Sequence, residues 1–151
     1  FYHHFQSKEH LLLEEYTLVD NAVFSSTGQL NAEGAIDRMV EYLGNYARSA
    51  EEATPGIVSE VYRVWMTLRK GFPVSYESGV LGGMFKLVEQ AQRAGELDAA
   101  LDAKQAAVDL LTLARGVIYR WCEVKGAFNL KEKIQQMVRP YLAYHSTNGW
   151  R

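Results

Sequence analysis

Apolar residues recur along this chain at intervals of three and four rather than in alternation, and only three prolines interrupt its 151 residues. A period near 3.6 puts an apolar stripe on one side of a helix, whereas a half-buried strand needs a period of two. The pattern predicts an all-α chain of about six helices. Ser7 suits the N-cap of a first helix whose stripe is Leu12, Tyr16, Val19 and Val23, ending near residues 25–28. Asn31 suits the cap of a second, carrying Ile36, Met39, Val40, Leu43, Tyr46 and Ala50 and stopping before Thr54-Pro55. Pro55 opens a third with Val58, Val61, Tyr62, Trp65 and Leu68, closed by Lys70-Gly71.

A fourth helix is expected over residues 76–94, with Leu81, Met84, Phe85, Val88 and Ala91 inward. Gly79, Gly82 and Gly83 each cost its first half about 0.5–1 kcal/mol relative to alanine, so that half is irregular, mobile or closely approached by another group. The fifth, over 103–125, is apolar around most of its circumference and demands cover on two sides. Asn129 caps the last, with Ile134, Met137, Val138, Tyr141 and Leu142 inward and a kink expected at Pro140.

Composition excludes several classes. With 48% hydrophobic residues there is enough for one core, and 16 Lys and Arg against 18 Asp and Glu leave a net charge of -2, so any nucleic-acid contact must be local. A single cysteine forms no intramolecular disulfide, and the apolar runs are too short to span a bilayer, so a soluble cytoplasmic protein without a membrane partner is expected. No carboxylate–histidine pair of a di-iron bundle, no H-E-x-x-H, no G-x-S-x-G and no phosphate-binding glycine loop occurs. Cys122 lies on an apolar stripe and reads as a packed thiol. His3, His4 and His10 point different ways on a helix. Neither an enzyme nor a metal or cofactor is expected. The start at Phe1, with no signal peptide or initiator Met, suggests that the sequence begins inside a longer chain.

The opening Phe1-Tyr2-His3-His4-Phe5-Gln6-Ser7-Lys8-Glu9-His10-Leu11-Leu12 follows the pattern Y-x-H-F-x-x-K-x-x-L. It resembles the end of the helix-turn-helix domain of TetR-family transcriptional regulators. Ala94-Gly95-Glu96-Leu97, the segment 106–122 with Gly116, and Phe128-Asn129-Leu130 are similar to that family's C-terminal half. Residues 26–93 match only in helical pattern. The resemblance implies a remnant of the DNA-binding domain at residues 1–6 and a ligand-binding and dimerisation domain at 7–151. Tyr2, His4 and Lys8 would contact DNA phosphates, which position without reading sequence. The family's first DNA-binding helices would precede Phe1, so operator DNA is a partner only where they are present.

The resemblance also implies that the last two helices pair with those of a second copy in a four-helix dimer interface, through Leu111, Ala114, Ile118, Trp121, Ile134, Met137, Val138 and Tyr141. The alternative from the residues alone is that the same set fills an intramolecular core. Large polarizable side chains gather at Tyr42, Tyr46, Tyr62, Trp65, Met66, Met84 and Phe85, joined by Tyr119 and Trp121 from the fifth helix. They read as core or as the wall of a pocket for an apolar or aromatic small-molecule effector. Glu60 and Arg63 are either anchors for such a ligand or solvated. The function implied is a ligand-responsive transcriptional regulator, a repressor on the strength of the resemblance, that releases operator DNA when its effector binds. The first helix would couple Lys8 to Tyr16, Val19 and Val23. The alternative is a helical carrier of a hydrophobic molecule that never touches DNA.

Overall fold

Three helix starts are set by side chains that accept an otherwise unpaired N–H of the first turn: Ser7 from His10 (3.1 Å), Asp102 from Gln105 (3.1 Å) and Asn129 from Glu132 (3.0 Å). The computed structural model describes residues 7–68 and 71–151. Their elements are α1 (Lys8–Ser25), a 3-10 turn (Ser26–Gln29), α2 (Ala35–Leu68), α3 (Gly79–Arg93), α4 (Ala103–Glu123) and α5 (Leu130–His145). The described residues form no strand, only an isolated bridge between Leu97 and Ser146. Tyr2 and His4, and with them the whole of 1–6, lie outside the described residues.

The expected second and third helices are two arms of one element, broken at Thr54 (φ 73°, ψ 153°). Pro55 disfavours helical backbone at the residue before it, which puts the break there. The start of this element differs from expectation. Asn31 does not cap it; its backbone N–H donates to Glu41 (3.0 Å). The first helical N–H groups, at Ala35 and Ile36, donate instead to the carboxylate of Glu96 from the α3–α4 loop, at 3.0 and 2.9 Å. The fourth expected helix also starts late, at Gly79, and α5 runs through Pro140 without interruption. Gly95 and Gly126, both at positive φ, end α3 and α4 as their sequence positions suggest.

The core lies where α2, α3, α4 and α5 meet, around Ile36, Met39, Tyr42, Leu43, Met84, Leu110 and Leu130. Helix α4 packs on α2, α3 and α5, so the cover that its apolar circumference demands comes from its own chain. This corrects the expected dimer set. Leu111, Ala114, Ile118, Trp121, Ile134 and Val138 are buried within the single chain. Exposing six such side chains to meet a second copy would cost on the order of 10 kcal/mol. Of the eight, only Met137 is exposed, and Tyr141 is half-buried.

Candidate functional site

Helix α1 is the least embedded of the five. Of its expected stripe only Val23 is buried, joined by Leu13; Leu12 and Tyr16 are half-buried and Val19 is exposed. The reason is a cavity of about 1030 Å³ beneath it. Leu12, Tyr16, Val19 and Val23 of α1 form one wall, and Tyr46, Ala50, Ala53, Val58, Val61 and Tyr62 of α2 form the facing one, on both sides of the Thr54 break. Val80 from the start of α3 and Ile118 from α4 also contribute, and exposed Lys8 reaches its rim.

Tyr16 and Tyr62 of this lining belong to an aromatic cluster. Tyr16 lies 5.5 Å from Trp65 and 5.7 Å from Phe72 between ring centroids, and Tyr62 meets Phe72 edge-on at 5.0 Å. The guanidinium of Arg115 is stacked 4.2 Å from the centroid of Phe72. The hydroxyls of Tyr16 and Tyr62, the indole N–H of Trp65 and Nε of Arg115 are buried without a hydrogen-bond partner. Burial drives the phenols of Tyr16 and Tyr62 far above their ordinary range, so both are neutral donors at any physiological pH.

Asp20 of α1 also borders the cavity and accepts from the backbone N–H of Val80 at 2.8 Å, capping α3 from a neighbouring helix. Burial raises its pKa, against the opposing pull of that N–H and of Arg115.

The expected pocket residues are dispersed. Tyr46 and Tyr62 line the cavity, while Trp65 borders a second hollow on the other side of α1, beside His10, Leu13 and Leu18. Tyr42 and Met84 are wholly buried in the core, Tyr42 donating to the Val80 carbonyl at 3.0 Å. Phe85 meets Tyr76 edge-on at 5.4 Å, and Met66 and Tyr119 face outward, 64% and 59% exposed. Glu60 and Arg63 pair with each other at 2.9 Å, with Glu9 of α1 3.6 Å from Arg63. Lys8 is the first residue of α1 and is exposed. Cys122 is half-buried against the core, and burial pushes its thiol pKa up.

Asp20, which lines the cavity, and Arg115, which stacks on Phe72 beside the lining residues Tyr16 and Tyr62, were not among the residues expected from the sequence. For Arg115 a signal exists: Leu111, Arg115, Ile118 and Cys122 share one face of α4 at spacings of four, three and four, so a charge interrupts an apolar stripe. Among the described residues no cluster of three or more His, Cys, Asp or Glu is placed to hold a metal ion, and no helix is long and apolar enough to cross a membrane. No protein-family model, curated protein or solved structure matches this chain.

Proposed function

We propose that this chain is the effector-binding and dimerisation part of a TetR-type ligand-responsive transcriptional regulator, which lets go of operator DNA when a small molecule fills the cavity under α1. The observation that carries the reading is the construction of α1. One helix holds Lys8 at its N-terminal end and supplies a cavity wall through Leu12, Tyr16, Asp20 and Val23. A ligand wedged between α1 and α2 shifts the first of these helices against the second. In a dimeric reader whose recognition helices must stand about 34–36 Å apart, such a shift spoils the fit to successive major grooves.

A homodimer is part of this proposal, on a surface different from the one the sequence suggested. Asp109, Thr112, Gly116, Tyr119 and Glu123 follow each other on the outer side of α4 at spacings of three, four, three and four. Met137, Tyr141 and Tyr144 form a matching stripe on α5, and a hydrogen bond of 3.2 Å from Tyr141 to Asp109 joins the two. Tyr119, Met137 and Tyr144 are exposed, and a Cβ on Gly116 would meet nothing within 4 Å, which leaves room for another helix to approach closely.

Titration of the full-length protein onto its operator, with and without a cavity ligand, tests the function. Saturating ligand is expected to weaken DNA binding about 5- to 150-fold, the range of ordinary allosteric coupling. Ligand binding with no effect on operator affinity overturns the regulator and favours a carrier.

A further inference from the structure

The cavity under α1 is long for its volume. Every turn of α1 contributes to it, from Lys8 through Leu12, Tyr16 and Val19 to Val23, and Ser26 of the 3-10 turn follows. Helices α1 and α2 run antiparallel beside it: Asn45 Nδ2 reaches Ser26 Oγ at 3.5 Å, and Arg63 lies 3.6 Å from Glu9 at the start of α1. At 1.5 Å of rise per residue the span from Lys8 to Ser26 is about 27 Å. A volume of about 1030 Å³ spread along that length has a mean cross-section of about 40 Å². An α-helix with its side chains, about 10 Å across, needs about twice that, so the space is a channel for something thinner.

The wall of this channel is aliphatic along its middle, with Val23, Ala50, Ala53, Val58, Val61 and Ile118. The polar groups among them are already engaged. Asp20 holds the Val80 N–H, Ser49 donates to the Tyr46 carbonyl and Ser26 to that of Val23. The hydroxyls of Tyr16 and Tyr62 are buried, so these two rings present carbon to the open space. Charged groups stand at the rim instead, where exposed Lys8 and Arg48 are offset by exposed Glu15 and Glu52. Leu11, Val19 and Ile57 also line the channel and are left exposed to water. A compact ligand covers one stretch of this apolar wall, whereas a long one covers the whole of it.

We infer that the cavity takes a molecule with a long unbranched aliphatic chain, the chain laid along α1 between Val19, Val23, Val58 and Val61, and its head group in water at the rim. This rests on the cavity being the effector site and gives that effector a chemical class. A thin flexible chain touches the wall over most of its length. With no polar group free in the middle to anchor a ligand, affinity comes from the carbon that is buried. Because the rim carries both signs of charge, the charge of the head group has little weight.

The uncharged dye N-phenyl-1-naphthylamine, which brightens in apolar surroundings, reports on the cavity, and unbranched alcohols from 1-hexanol to 1-decanol compete for it. Each added methylene is expected to tighten binding about fourfold, the value of one buried CH₂. The compact isomer 4-propylheptan-4-ol has the atoms of 1-decanol but not its length. It is expected to bind about tenfold more weakly once both are scaled by their partition into octanol, the equivalent of one to two methylenes of lost contact. Ala22→Trp, at an exposed lining position towards one end of the channel, is expected to cost 1-decanol about tenfold more than 1-hexanol, and Val19→Trp, nearer the middle, more still. Both replace exposed side chains and leave the core untouched, so the helicity of the parent is expected in each. Equal scaled affinities of the two isomers, or tryptophans that weaken hexanol and decanol alike, overturn the long chain and leave the cavity site standing. No dye binding at all removes the effector site and the inference with it.

Discussion

Gly83 has no side chain because Tyr42 occupies the place where one would be: a Cβ there would run into the hydroxyl and Cζ of that ring. The Tyr42 hydroxyl is in turn held by the Val80 carbonyl, so the tyrosine cannot give way without losing a buried hydrogen bond. Gly83→Ala is expected to destabilise by about 1–3 kcal/mol and Tyr42→Phe by about 1–2, and the double variant by less than their sum, as read from urea midpoints. The sequence shows three glycines weakening one helix and allows close approach among the reasons; it cannot show what approaches, because Tyr42 lies on another helix. Asp20 poses a question of sign. Its carboxyl is pushed above its ordinary pKa chiefly by burial, so the folded protein binds the proton more tightly than the unfolded chain. Its contribution to stability therefore falls as the pH rises from about 4, the unperturbed value, through the raised folded pKa, and stays unfavourable above it. Asp20→Asn keeps an oxygen for the Val80 N–H and abolishes the titration. It is expected to be no less stable than the parent at neutral pH and to flatten that part of the stability–pH curve, whereas Asp20→Ala loses the cap and costs about 1 kcal/mol.

Helices were legible wherever the signal was local. Ser7 and Asn129 cap the helices that their positions suggest, and Gly95 and Gly126 end two others, because a cap needs only the residues within one turn of it. The start of α2 was not legible for the opposite reason. Its cap is Glu96, some sixty residues away, brought across by the bridge of Leu97 to Ser146 and the bond from Thr147 N–H to the Glu96 carbonyl (2.9 Å). A carboxylate that accepts two first-turn N–H groups also complements the positive end of the helix. Glu96→Ala is accordingly expected to lower stability by about 1–2 kcal/mol, while Asn31→Ala stays within about 0.5 kcal/mol of the parent. Equal effects of the two, measured by thermal unfolding, would restore the local cap. The break at Thr54 was visible in Pro55, but its consequence was not: the backbone turns there, and residues on both sides of it form one cavity wall.

At the scale of the whole molecule, the apolar circumference of α4 signals burial on more than one side but not by which chain. Three neighbouring helices of the same chain meet that demand, and the side left open carries a different set of residues. The cavity shows the same limit. Tyr46 and Tyr62 could be picked from the sequence as large and polarizable, yet so could Tyr42, Met84 and Phe85, and only packing separates a wall from a core. The proposed dimer turns on this distinction. Its proposed surface is exposed in the single chain, so substitutions on it perturb association without touching the core. Tyr119→Glu with Met137→Glu places two like charges on each side of a two-fold contact. We expect the parent protein to travel at twice its chain mass in size-exclusion chromatography with light scattering at micromolar concentration, and the double variant at its chain mass, with helicity and dye binding intact. Ile134→Ala makes the control, because it removes buried volume from the monomer and should lower the unfolding free energy by about 2–5 kcal/mol whatever the state of association. A parent that is monomeric under these conditions would overturn the dimer, and a double variant that remains dimeric would move the interface away from the outer side of α4 and α5.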